Sequence, residues 1–231
     1  MEYKNRFILF IDILGFRDFI KNTPIDQHDP SLMSFVELIK FLRSELNVDP
    51  NNHIALQRKL NSLETSCVTQ FSDSIVISVD YHVPEQFDNL VSDIINIICI
   101  GYYYNFLFRG AITYGEIIHN DKLMFGPGFN KAYDMEQKLA TYPRVVIDPD
   151  SFENNINTEV ASKVIKEDFD GVKYIDPLVG MKFVFRDLPL QDLIIEGLEK
   201  IISNNEKADD FIKPKYTWLK KKLDQYRAYD N

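Results

Sequence analysis

Residues Phe7–Ile13 read Phe-Ile-Leu-Phe-Ile-Asp-Ile, an almost unbroken apolar run with one carboxylate, Asp12, near its end. Alternate side chains of a strand point to opposite faces of its sheet, so a run with no alternation marks a strand buried on both sides. Gly15 ends the run. An ionised Asp in such a strand is costly unless something neutralises it. A divalent cation held by oxygen ligands would do so.

The pattern after this strand alternates between helical and strand-like stretches. Apolar residues at 32, 35, 36, 39 and 42 give a helical period over Leu32–Leu46, and Asn51–Leu63 is a second short helix or a loop. Two β-rich runs, CVTQF and SIVISV, flank Ser72-Asp73-Ser74 within Ser66–Val79, which predicts a hairpin with Asp73 at its turn. A helix through Phe87, Leu90, Val91, Ile94 and Ile98 follows, started by Pro84 and Glu85. Phe106–Ile118 is strand-like, with Gly110, Ala111 and Gly115 where backbones come close. Then come a short strand at Leu123–Phe125, a helix over Pro127–Leu139 and a strand over Arg144–Ile147. The order β-α-α-β-β-α-β-β-α-β predicts an α+β fold with helices on a mostly antiparallel sheet. The texture changes after Pro149. Asp150–Asp170 is polar, Gly171–Phe185 has strand pieces, and Leu188–Ile202 and Asp209–Tyr229 are amphipathic. Residues 1–148 are thus expected to be a catalytic domain and 149–231 a mostly helical extension packed on it.

Asp12 and Asp73 each have an ordinary structural explanation, as a helix cap and as a turn residue. Together, one at a buried strand end and one at a hairpin tip, they point to a metal pair. After Asp12 the chain turns from strand into helix through Ile13, Leu14, Gly15 and Phe16, whose N–H groups suit a triphosphate. Arg109 stands in an otherwise apolar strand. It is either a surface or salt-bridged residue of an edge strand or a partner for phosphate or base. Thr69 and Gln70 offer neutral hydrogen-bonding groups beside the hairpin. Thr69 also suits a strand by propensity alone. Arg144 reads as structural, and His28, His53, His82 and His119 as loop residues without a catalytic role. Lys215, Lys220, Lys221 and Lys222 form a solvated face around a docked Trp218.

These segments resemble class III nucleotidyl cyclases. FILFIDILGFRDF is similar to the family's first metal motif, and QFSDSIVIS to its second. FRGAITYGEI resembles the next strand, and GPGFNKAYDMEQ lies where the family has a Gly-x-x-Val-Asn helix start. The resemblance implies a ferredoxin-like βαββαβ core and two Mg²⁺ or Mn²⁺ ions held by Asp12, Asp73 and the Ile13 carbonyl. Asn130 coincides with the family's ribose-orienting Asn, although an ordinary first-turn helix residue fits it as well. Thr69 stands where purine cyclases carry a base-reading Lys or Glu, and Asp134 where they carry a transition-state Arg. RGAITYGE, ATYPRVVID and KYTWLKKKL are more similar to the pyrimidine nucleotide cyclases of bacterial Pycsar antiphage systems. That implies cyclic UMP or cyclic CMP as product, a homodimer, and a separate effector. Purine cyclisation and a silent cyclase-like dimerisation module are the competing readings. A diguanylate cyclase would need a Gly-Gly-Asp/Glu-Glu-Phe hairpin, and this one reads Phe71-Ser72-Asp73-Ser74.

Composition narrows the partners. The formal charge of −9 disfavours bulk nucleic-acid binding. The N-terminal apolar run is broken by Asp12 and lacks a cleavage site, and Ile94–Phe108 is too short for a bilayer, so no membrane partner is expected. Two cysteines, Cys67 and Cys99, read as core residues and fit a cytoplasmic protein.

Overall fold

The computed structural model describes residues 2–24, 26, 28–42, 67–83, 85–150, 159–186 and 190–230. The first half of the chain runs β1 (Lys4–Ile13), α1 (Phe16–Asn22), α2 (Pro30–Leu42), β2 (Cys67–Phe71), β3 (Ser74–Asp80), α3 (Glu85–Tyr103), β4 (Phe108–His119), β5 (Met124–Phe125), α4 (Pro127–Leu139) and β6 (Val145–Ile147). The second half adds α5 (Glu159–Val164), β7 (Ile165–Glu167), β8 (Lys173–Ile175), α6 (Pro177–Val184), α7 (Gln191–Asn204) and α8 (Lys213–Asp230). The sheet order is β2-β3-β1-β4-β6-β8-β7, with β5 paired to β4. Only β4 and β6 pair in parallel among these strands. The α+β fold read from the sequence is the observed one, but the two helices between β1 and β2 among the described residues are α1 and α2, and the expected order does not count α1.

β1 is central because both its faces are apolar. Phe7, Leu9 and Ile11 join the large core under α3, while Ile8 and Phe10 pack with Val76, Ile117 and Ala132 under α4. α3 is buried nearly all round. It is packed between the sheet and a further layer made by α6 and α7. Each fully buried Ile, such as Ile94 or Ile98, contributes about 1.5–3 kcal/mol of hydrophobic stabilisation. On the opposite face, α4 comes very close to β4. A Cβ on Gly115 would lie 2.9 Å from the Gly128 Cα, and one on Gly128 would lie 2.4 Å from Ile8 Cδ1. Glycine at both positions lets the helix and the sheet touch backbone to backbone.

Several expectations need correction. Gly171–Phe185 holds one strand piece, β8, and most of its remainder is the helix α6 at Pro177–Val184. Its apolar, β-branched composition hides a helix start that Asp176 and Pro177 make plain: the Asp176 carboxylate accepts from the N–H groups of Leu178 and Val179, with Pro177 in the first turn. β4 lies between β1 and β6, so Arg109 is not on an edge strand. The expected helix or loop at Asn51–Leu63 and the end of the Leu32–Leu46 helix lie outside the described residues, as do Pro84 and His53.

Candidate active site

Asp12 sits one residue before the end of β1, in register with Ser74 of β3 and Arg109 of β4. The hairpin β2–β3 turns through Ser72 and Asp73 alone. Ser72 has φ +55°, a left-handed conformation that costs a non-glycine residue about 1–2 kcal/mol. The Ile13 N–H donates to the Asp73 carbonyl at 3.2 Å, tying the tip to the end of β1. The structure therefore brings Asp12 and Asp73 together. Burial raises the pKa of Asp12. A hydrogen bond from the Ser74 hydroxyl at 2.9 Å opposes the rise, and the Asp73 carboxylate adds to it. Two carboxylates held side by side in a partly buried site call for positive charge.

Arg109 supplies some of that charge. Its Nη2 lies 3.7 Å from Asp12 Oδ2, and its Nε lies 2.7 Å from Glu136 Oε1. That second contact is an ion pair too bent to count as a hydrogen bond, and both atoms are otherwise unsatisfied. Glu136 is fully buried. Burial raises its pKa against the opposing charge of Arg109, and Asp12 raises it further. The sequence reading missed Glu136. Gly128, Ala132 and Glu136 recur every four residues, and they are the buried positions of α4. The two small residues already announced a face pressed on the sheet.

Lys215, in the first turn of α8, approaches the same end of the sheet. Gly110 N–H donates to the Arg144 carbonyl at 3.1 Å. The Arg144 side chain holds Asp168, and Asp168 holds Trp218, one helical turn beyond Lys215. Burial and then the charge of Arg109 lower the pKa of Lys215, and among the described residues it has no carboxylate partner. The expected solvated basic face is therefore corrected for Lys222 as well. Its Nζ donates to Asp168 at 2.9 Å, and the side chain is largely buried.

The remaining candidates separate. Thr69 lies on the face that carries Asp12, because it pairs with Val76, which pairs with Phe10. Its neighbour Gln70 faces the other side, since successive strand residues alternate, so the two do not flank one base together. Ile13 and Leu14 are corrected as N–H donors to a phosphate: their N–H groups already bond Asp73 and Leu107. Gly15, with φ +78°, and Phe16 open α1 without a side-chain cap. Asn130 is exposed on the side of α4 turned away from the sheet and does not join Asp12. His119 is no loop residue. It ends β4, is buried, and bonds Ser78 and Thr69. Cys99 is buried, but Cys67 is half-exposed on β2, which corrects its reading as core.

The donor set suits a hard cation shared with a substrate. Among the described residues no group of three or more His, Cys, Asp or Glu side chains forms a closed metal cage. Asp12 and Asp73 with a nearby backbone carbonyl give the few oxygen ligands that Mg²⁺ takes when phosphates and water complete its shell.

A search of solved structures finds this architecture in nucleotide cyclases. The catalytic core of a rhodopsin-guanylyl cyclase with converted specificity, in complex with ATPαS, aligns over 76% of this chain and 97% of its own, with 16% identity and a TM-score of 0.51. The adenylyl cyclase CyaB from P. aeruginosa covers 76% of this chain and 94% of its own at 14% identity and TM-score 0.46. A bacterial light-regulated adenylyl cyclase covers 87% and 100% at 13% identity and TM-score 0.46. The chain has the fold of class III cyclase catalytic cores. No protein-family model and no curated protein matches it. Among the described residues no helix is long and apolar enough to cross a membrane.

Proposed function

We propose that this protein is a pyrimidine nucleotide cyclase, converting UTP or CTP to the 3′,5′-cyclic monophosphate and pyrophosphate. The observation that carries the reading is the meeting of Asp12 and Asp73 at one sheet end, with Arg109 beside them. Asp12, Asp73 and the Ile13 carbonyl would hold two Mg²⁺ or Mn²⁺ ions, which when bound acidify the ribose 3′-hydroxyl and neutralise phosphate oxygens. The 3′-oxygen attacks the α-phosphorus, the bond to the β-phosphate oxygen breaks, and pyrophosphate leaves. Arg109 and Lys215 place two cations where that leaving group gathers charge, in the role that Asp134 cannot fill. Gly15 and Phe16 present N–H groups to the same phosphates. Thr69 is small and neutral, which suits a one-ring base and leaves a purine without a charged or bidentate partner.

Residues 1–148 are read as the catalytic unit and 149–231 as an extension that delivers Lys215. A homodimer fits the exposed Asn130 on α4, Phe71 beside the hairpin tip and Phe125 on β5, which leave polar and apolar groups at the surface. The cyclic product would act on a separate effector in antiphage defence, by resemblance to the Pycsar enzymes, in the cytoplasm.

The test incubates the purified protein with Mn²⁺ and an equimolar mixture of ATP, GTP, CTP and UTP, and identifies products by mass spectrometry. Cyclic UMP or cyclic CMP is expected to dominate. Dominant cyclic AMP or cyclic GMP would support the second reading, a purine cyclase, which the bound ATPαS of the rhodopsin-guanylyl cyclase core favours. No cyclic product from any of the four would end the cyclase reading.

A further inference from the structure

His119 joins two hydroxyls on the sheet face that carries Asp12. Its Nδ1 bonds Ser78 Oγ at 2.8 Å, and its Nε2 bonds Thr69 Oγ1 at 2.9 Å. Ser78 is completely buried, and its backbone carbonyl accepts from Arg6 Nη2 at 2.9 Å. The register puts Thr69 two strands over from β1 and two residues back from the level of Asp12. With the usual strand spacing and rise, their Cα atoms are roughly 12 Å apart across the face.

A neutral imidazole has one N–H and one lone pair. Burial, aided by the charge of Arg6, pushes the His119 pKa down to about 4, so the ring is neutral at pH 7. Only two bonding patterns are then open. In one, Nδ1–H donates to Ser78, Nε2 accepts the Thr69 proton, and Thr69 turns only lone pairs outward. In the other, Ser78 donates to Nδ1, Nε2–H donates to Thr69, and Thr69 keeps its proton for a ligand. The two patterns present opposite polarity at one atom. Uracil and cytosine differ in that same sense, one having N3–H beside a carbonyl and the other a bare N3 beside an amine.

We propose that His119 sets base specificity: its tautomer, with Nδ1 paired to Ser78 in either form, decides whether the Thr69 hydroxyl offers a lone pair or a proton to the pairing edge of a pyrimidine. The proposal rests on the cyclase reading and on Thr69 facing the base. His119 is a positioning residue, since it acts on the base through Thr69.

The experiment supplies the full chain with Mn²⁺ and equimolar UTP and CTP, and reads the ratio of cyclic UMP to cyclic CMP. In His119→Gln and in Ser78→Ala the ratio should move by at least about tenfold, because a site with the wrong polarity leaves a buried group unpaired. Ser78→Thr, which keeps the hydroxyl, should stay within about twofold of the parent. Thermal melting identifies any variant that fails to fold, and Ser78→Ala carries the test if His119→Gln does so. A ratio unchanged in the folded variants, or both products falling in parallel, overturns the proposal. Absence of cyclic product in the parent would instead defeat the cyclase reading. The ratio of UTP to CTP dissociation constants, measured by calorimetry, then stands in for the product ratio. A dissociation ratio that does not move, or no binding of either nucleotide, overturns the role of His119.

Discussion

Two arginines enter the sheet one strand apart and meet opposite fates. Arg144, fully buried, donates to Asp168 at 2.5 Å, to both oxygens of Asp170 at 2.5 and 3.1 Å, and to the Leu139 carbonyl at 3.2 Å. Asp168 also receives Trp218 Nε1 at 2.6 Å and Lys222 Nζ at 2.9 Å. Burial alone would raise the pKa of Asp168, but the bonds from Lys222 and Trp218 outweigh it and hold the group below its ordinary value. Arg144 does the same for Asp170. Around Arg109 the sign is reversed, and both Asp12 and Glu136 lie above their ordinary values. One cluster finds enough positive charge within the chain to hold its carboxylates low, although Arg144 Nε itself has no hydrogen-bond partner. The other is short of positive charge, the condition that the proposed cation and substrate would meet.

The sharpest way to break this contrast is to neutralise each cluster and ask what is lost. Asp12→Asn and Asp73→Asn should each lower cyclase turnover by about a thousandfold or more, with the melting temperature unchanged or slightly raised. Product formation and a thermal scan on the same samples check both halves. A variant that keeps parental turnover would remove its residue from the metal site.

Arg144→Ala should act the other way. It takes one partner from the buried Asp168 and both guanidinium bonds from the more exposed Asp170, and should cost about 3–5 kcal/mol of stability, read from urea unfolding. If Arg144→Ala melts like the parent, the Asp168 cluster is not what holds α8 to the sheet.

Smaller effects sharpen the comparison. Lys215→Ala should lower turnover by about ten- to a hundredfold, because one charge-assisted phosphate contact is worth about 1.5–3 kcal/mol. Its unfolding midpoint should barely move. Glu136→Gln should cost about 1–2 kcal/mol of stability, since the amide oxygen can still face Arg109 and Arg109 keeps Asp12.

The least effect concerns acid. Asp168 and Asp170 are depressed, so the stability they contribute is present above their unfolded pKa of about 4 and is lost as pH falls through the lower folded values. Asp168→Asn should flatten that acid loss below about pH 4 in urea melts taken across the range. An unchanged acid limb would show that other groups produce it.

Much of the fold was legible because single rules applied to it. A run without alternation placed β1 at the centre, and Ser72-Asp73 between two β-rich runs placed the tip. The two metal candidates followed from those placements. Glu136 stayed hidden because α4 is polar in composition, and its buried face is marked by the small residues Gly128 and Ala132 instead of large apolar ones. His119 looked like a loop residue because β4 runs one residue past its last isoleucine. Gln70 was misjudged by neglect of the period-two rule that had served for β1. The partners of Arg144 lie 24 and 26 residues away, and Asp168 in turn meets Trp218 from 50 residues on, distances that no local pattern spans.

That last distance matters for the order in which the chain is made. Asp168 is translated well after the central strands β1 and β4, and well before Trp218 and Lys222 in α8. A nascent chain that already carries Asp12 and Asp73 therefore still holds a buried aspartate with part of its partner set missing. Only when α8 leaves the ribosome can the cluster close, and the same event brings Lys215 toward Arg109. The buried aspartate thus waits for a helix made some fifty residues after it, and its neutralisation is set by the order of synthesis as well as by the fold.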